Sequence, residues 1–146
     1  MTSDEEALNI IHTGKLANGA AWDPLQTALV GQATAAKLDP ATCSGTADVT
    51  RHEPNRIEVK TQAETPSILV LSENHYPGWN AYVDGAAVET LRVDYNLRGV
   101  VLAAGNHRVA FIYRPKSVIV GLVISLLTLA CLIGWLRMGS RLEKAA

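Results

Sequence analysis

Residues 79–113 read WNAYVDGAAVETLRVDYNLRGVVLAAGNHRVAFIY, and this stretch decides the fold. Trp79, Ala81 and Val83 alternate with Asn80 and Tyr82 up to Asp84-Gly85. A period of two puts one set of side chains on each face of a strand, and Asp-Gly after such a run is a strong hairpin signal. Val88, Leu91 and Val93 are expected to form the return strand. Gly99 to Leu102 then runs into a second Gly-bearing turn, Ala104-Gly105-Asn106. After it Val109, Phe111 and Tyr113 alternate with Arg108, Ala110 and Ile112.

Upstream the texture is the same back to Arg56. Ile57, Val59 and Thr61 alternate with charged Glu58 and Lys60, which predicts a half-buried strand. Ser67 to Ser72, SILVLS, is apolar on both faces and suits a central strand. About five to seven strands joined by short turns predict a mainly β fold, an antiparallel β-sandwich rather than an α/β domain. Its core is expected over 56–115.

Residues 1–55 read as a helical and loop segment packing on the sandwich. Ser3-Asp4-Glu5-Glu6 followed by Ala7, Leu8, Ile10 and Ile11 resembles a capping box opening a short helix, ended by Gly14. Asp23-Pro24 starts a second short segment with Leu25, Leu29 and Val30 apolar, closed by Gly31; short N-terminal helices are therefore expected. Residues 31–55 carry no clear period and read as loop, with one strand near Ala47 to Arg51.

Past Tyr113-Arg114-Pro115 the pattern changes completely. Residues 118–136, VIVGLVISLLTLACLIGWL, hold no charge over nineteen positions. At about 1.5 Å per residue a helix of that length spans roughly 28 Å, close to the hydrocarbon thickness of a bilayer. Twelve of the nineteen are Leu, Ile or Val. At mid-bilayer values they favour insertion by roughly 4 to 7 kcal/mol as an upper bound. A buried core helix explains the stretch poorly, because soluble cores rarely hold a helix that is apolar on every face. The reading is one C-terminal transmembrane helix over 117–137 and a basic tail over 138–146.

Charge is divided along the chain. Residues 1–117 hold ten Lys or Arg against thirteen Asp or Glu, whereas Arg137, Arg141 and Lys144 face only Glu143 at the end. This balance gives no support for nucleic-acid binding, which needs a basic face. The positive-inside rule favours a cytoplasmic tail and a body outside the cytoplasm, a signal blunted by Arg108, Arg114 and Lys116 on the other side. An exported body calls for an upstream signal, and MTSDEEALNIIHTGKLANG opens acidic with no h-region. Two explanations follow: the C-terminal end of a larger membrane protein, or a tail-anchored interaction or scaffold protein with a cytoplasmic body. Cys43 in the body and Cys131 in the span cannot reach disulfide distance.

The chemistry-bearing residues are few. Tyr76-Pro77-Gly78-Trp79 is the most unusual string in the soluble part. An exposed Tyr and Trp can stack on a sugar face or sit at a lipid headgroup level. The other reading is a tight Pro-Gly turn with Trp79 plugging one end of the sandwich, and the alternation with Ala81 and Val83 favours it. Glu73, Asp84 and Asp94 are carboxylates near turns, and acid/base work would need two of them flanking a cleft. Asp84 is better explained as the first residue of its turn. His12, His52, His75 and His107 are scattered without a ligand spacing, so no metal or other cofactor is expected. Within the span, Gly121, Ser125 and Thr128 put small residues near one face, where a second transmembrane helix could approach. Trp135 near one end and Tyr113 before the other fit the aromatic belts of the two interfaces.

The stretch from Ser72 to the span resembles the C-terminal end of the YfhO-like bacterial membrane proteins. The resemblance rests on Tyr76-Pro77-Gly78-Trp79, Val83-Asp84-Gly85, Arg98-Gly99-Val100, Ala104-Gly105-Asn106-His107 and Tyr113-Arg114-Pro115, in order and at consistent spacing. The N-terminal half resembles the same region only loosely, through Glu6-Ala7-Leu8 and Asp23-Pro24. The resemblance implies a large inner-membrane protein similar to GT-C-type glycosyltransferases, moving sugars from lipid-linked donors onto cell-envelope polymers. It also implies that the extracytoplasmic β-rich domain and last span lie downstream of the catalytic loops. No catalytic residue is therefore carried over to this chain. The implied partners are the bilayer, other transmembrane helices, and a glycan or lipid-linked sugar, with Tyr76, Trp79 and Asp84 as the candidate ligand contacts.

Overall fold

The computed structural model describes residues 2–31, 38 and 44–143, with backbone alone for 136–143. Cys43 and Lys144 lie outside the described residues. Among the described residues the alternation in the sequence becomes eight antiparallel strands: β1 (Gly45–Glu53), β2 (Arg56–Ala63), β3 (Ser67–Asn74), β4 (Trp79–Val83), β5 (Ala86–Val88), β6 (Leu91–Val93), β7 (Leu97–Leu102) and β8 (Gly105–Tyr113). They form one sheet in the order β1-β2-β8-β4-β5 and another in the order β3-β7-β6. Ile57 and Val59 of β2, Ala81 of β4, Val100 and Leu102 of β7, and Val109 and Phe111 of β8 make the shared core. These residues keep one parity within each strand, as burial on one sheet face demands. The sandwich expected from the sequence is the fold.

Two strand assignments differ from expectation. The run from Val88 to Val93 is not one return strand. Val88 sits in β5 opposite Ala81, whereas Leu91 to Val93 is β6 and pairs with β7 in the other sheet. The chain changes sheets at Glu89-Thr90, and the alternation resumes with Leu91 and Val93 buried. Likewise SILVLS lies at an edge of the smaller sheet, and β7 takes the centre. β3 is apolar on both faces for a different reason. Leu69 and Leu71 pack against the main core, while Ile68 and Val70 border a hollow shared with Pro24, Leu25 and Leu38.

The turns are as local chemistry requires. Asp84 and Gly85 both take positive φ, 52° and 85°, the requirement of a two-residue type I′ hairpin between β4 and β5. The second Gly-bearing turn falls one step earlier than expected. Gly105 and Asn106 already pair with Ala63 and Gln62, leaving Ala103 and Ala104 to cross between the sheets.

At the N-terminus, α1 (Asp4–Thr13) starts on Ser3, whose side chain accepts from the Glu6 amide. It ends at Gly14 with φ 66°, whose N–H donates to the Ile10 carbonyl at 2.8 Å. The second short helix is absent: residues 24–26 form a turn. Ala7, Ile10 and Leu29 make a small core of their own with Leu16 and Trp22. Val30 bridges Val93, and Leu29 and Asp94 exchange two hydrogen bonds, so this segment extends the smaller sheet beyond β6.

The chain forms two compact units, Met1–Arg114 and Pro115–Ala146. The second is built on α2 (Lys116–Glu143). Within it Lys116–Trp135 is, among the described residues, the one stretch long and apolar enough to cross a membrane.

Candidate functional site

The solvent face of the larger sheet carries the best-formed site on the body. Register places Asp48 opposite Lys60 on β1 and β2, and Lys60 opposite Arg108 on β2 and β8. The Asp84 amide donates to the Arg108 carbonyl at 2.9 Å and continues the row towards β4. Four charged residues thus run across the sheet as acid, base, base, acid. One row further, Glu58 and Tyr82 flank Ala110 on the same face. A groove of about 680 Å³ lies over these rows, lined by Thr50, Arg56, Lys60, Tyr82, Asp84 and Arg108 among others. A second hollow of about 500 Å³ adjoins it at Asp48, Lys60, Asp84 and Arg108.

The carboxylates around this groove are already engaged. Glu58 accepts from Arg56 Nε at 2.5 Å and stands 3.8 Å from Arg51, and its carboxyl is held below its ordinary range, first by the Arg56 hydrogen bond. Asp84 Oδ1 accepts from the Arg108 amide at 2.8 Å, and Oδ2 meets His107 Nδ1 at 2.7 Å. Those two bonds, the backbone one foremost, depress the Asp84 carboxyl below its usual value. Among the described residues neither Lys60 nor the Arg108 guanidinium is in an ion pair. His107 Nε2 is buried without a partner in the described structure.

The other aromatic candidates lie elsewhere. Trp79 opens β4 and Asp84 follows its end; at about 3.3 Å per residue they are roughly 17 Å apart along the strand. Tyr76 is exposed in the turn before Trp79. Trp79 is half-buried against the main core, with its ring 5.2 Å from that of Tyr113. The Arg98 guanidinium lies 3.8 Å from the centre of the Trp79 ring, and Arg98 is fully buried. Its Nη2 donates to Glu73 Oε2, and Glu73 Oε1 meets His52 Nε2 at 2.9 Å. Burial pulls the Arg98 guanidinium below its ordinary value, against the opposing pull of Glu73. Tyr76, Trp79 and Asp84 therefore do not converge on one site.

Glu73, Asp84 and Asp94 do not form a pair across a cleft either. Glu73 holds Arg98 and His52, Asp84 holds its turn and His107, and Asp94 accepts from the Leu29 amide. Burial raises the Asp94 carboxyl against that hydrogen bond. Gly121, Ser125 and Thr128 lie on exposed helix surface, and Thr128 Oγ1 donates back to the Ile124 carbonyl at 2.9 Å.

Sequence reading missed Lys60, Tyr82, Arg98 and Arg108. Lys60 and Arg108 show only as polar members of alternating strands, and their meeting depends on a register between distant segments. Arg98 sits in a string that carries the family resemblance, which marked its place without its role.

The family model for the bacterial membrane protein YfhO matches residues 35–125. This chain belongs to the YfhO family. The match covers all eight strands and the first turns of α2. Membership in this membrane family, together with the apolar Lys116–Trp135 helix, identifies a membrane protein with a single span among its described residues. No curated protein and no solved structure matches the chain.

Proposed function

We propose that this chain is the non-catalytic, extracytoplasmic C-terminal domain and last span of a YfhO-family membrane protein, supporting glycosyl transfer during modification of cell-envelope polymers. One observation supports this reading above the rest. The family match runs without a break from the sandwich into the first half of the apolar helix, which supports reading body and span as one unit. In the GT-C-type enzymes that such proteins resemble, the acidic catalytic residues sit in loops between earlier spans. A terminal β-rich domain then contributes substrate docking or support. Asp84 on the groove, and Tyr76 and Trp79 at the opposite end of β4, are its candidate contacts to a glycan or lipid-linked sugar. Gly121, Ser125 and Thr128 would seat α2 against other transmembrane helices. The body faces out of a bacterial inner membrane, and the basic tail stays in the cytoplasm.

Maleimide labelling in intact cells tests this arrangement. Leu25 is 87% exposed, so Leu25→Cys in a Cys43→Ser, Cys131→Ser background gives one accessible thiol on the body. A membrane-impermeant maleimide should label it before lysis. Sugar on the envelope polymers, read by mass spectrometry, should fall when residues 56–143 are deleted from the gene. Protection of the thiol until lysis would place the body in the cytoplasm and overturn the reading in favour of a tail-anchored scaffold. Unchanged sugar content would remove the glycosyl-transfer role.

A further inference from the structure

Lys60 and Arg108 stand directly opposite each other on the exposed face of β2 and β8. Like charges in opposed positions of an antiparallel pair repel and destabilise the sheet. Nothing in the fold demands them there, because a solvent-facing strand position accepts almost any polar residue. Nearby acids offset part of the repulsion without forming an ion pair with either cation among the described residues: Glu58 and Asp84 act on Arg108 at a distance, and Asp48 stands opposite Lys60. Glu58 is taken by Arg56, Asp84 by His107 and the Arg108 amide, and Asp48 makes no ion pair with Lys60 among the described residues. The pair also lines a formed groove, with the Tyr82 phenol on the neighbouring row. A guanidinium edge presents two parallel N–H donors to two oxygens of one anion, and an ammonium supplies a compact charge to a third.

We infer that Lys60 and Arg108 form a binding site for a phosphate-class oxyanion, with Tyr82 beside it to contact whatever carries the phosphate. The site goes beyond the glycosyl-transfer reading and stands or falls independently of it. The phosphate could belong to a soluble phosphate compound or to a lipid headgroup, and both present the same oxygens.

The test is thermal unfolding of the full chain in a zwitterionic detergent at pH 7. Inorganic phosphate and, separately, short-chain dihexanoyl phosphatidylglycerol are titrated against sodium chloride at matched ionic strength. A saturable rise in Tm with either phosphate compound, absent with chloride and lost in Lys60→Ala and in Arg108→Ala, is the expected result. The compound that acts more strongly identifies the source. Arg108→Lys keeps the charge but not the fork, and should weaken binding on the order of tenfold. Without ligand, Lys60→Ala should leave Tm unchanged or raise it by roughly 1–4 °C, since it removes the repulsion. A ligand-free fall in Tm would show Lys60 to be paired and would overturn the inference. So would a phosphate response that persists in the alanine variants, or no response to either compound.

Discussion

Arg98 is the residue whose placement most shapes the body. A guanidinium taken fully out of water must recover its hydration, and here it lies over the Trp79 ring and bonds to Glu73, while Nε and Nη1 remain without partners among the described residues. Buried charges of this kind are costly to strand and often cheap to replace by an apolar side chain. Arg98→Met should therefore leave stability unchanged or raise it by up to about 3 kcal/mol. Glu73→Ala should lower it by about 1–3 kcal/mol, because it removes the counter-charge and leaves the cation buried. Urea unfolding followed by tryptophan fluorescence reads both, and the opposite order would refute this account. Next to Arg98, Gly99 is held by close approach. A Cβ there would come within 3.1 Å of Val93 Cγ1 and 3.2 Å of the Leu69 carbonyl oxygen. Gly99→Ala should lower stability by about 1–3 kcal/mol in the same assay. The inward side of Trp79 was legible from its alternation with Ala81 and Val83. The cation beneath it was not, because an Arg in a strand pattern reads as a solvent-facing position.

At the scale of elements, the β4–β5 hairpin shows how a turn and a site share one residue. Asp84 takes the αL conformation that begins the turn while its carboxylate anchors His107 and the Arg108 amide. Its folded pKa lies below the ordinary 3.8, so the stability that its ionised form contributes is present above that value and disappears as pH falls through the lower, folded one. Asp84→Asn tolerates the backbone but loses the charge. It should be less stable than the parent at pH 7, with the gap closing as the pH drops below about 4; a gap independent of pH would assign the effect to the turn alone. Most elements could be read in advance: the capped helix from Ser3 to Gly14, the strand over Arg56–Ala63, and this hairpin. What could not be read was which sheet each strand joins. Periodicity reports the side on which a residue is buried; it slips by one residue between Val88 and Leu91, which marks a break in the strand but not that the chain changes sheets there. SILVLS misled for a related reason. Two apolar faces suggest two full covers, but Ile68 and Val70 are only half-buried beside an open hollow, so the second face of this edge strand is not covered by another strand.

The whole molecule divides into a body with its own core and a separate apolar helix. Residues 2–114 contain all eight strands, α1 and both clusters of buried side chains. Expressed without α2, this body should give a β-type far-UV circular dichroism spectrum and a single cooperative unfolding transition in water. A chain that stays aggregated or unfolded would show that the body depends on the helix. One feature of the topology bears on how the body comes into being. The strand made last, β8, occupies the middle of the larger sheet, with β2 on one side and β4 on the other. Until residues 105–113 exist, β2 and β4 each display an unsatisfied edge, and the core lacks Val109 and Phe111. Contacts that close over such long stretches of chain fold slowly. A nascent body therefore waits, open and adhesive, for a segment that is followed almost at once by the apolar helix. Any factor that guards this chain during synthesis must shield those two edges until the same moment at which the span has to find its bilayer.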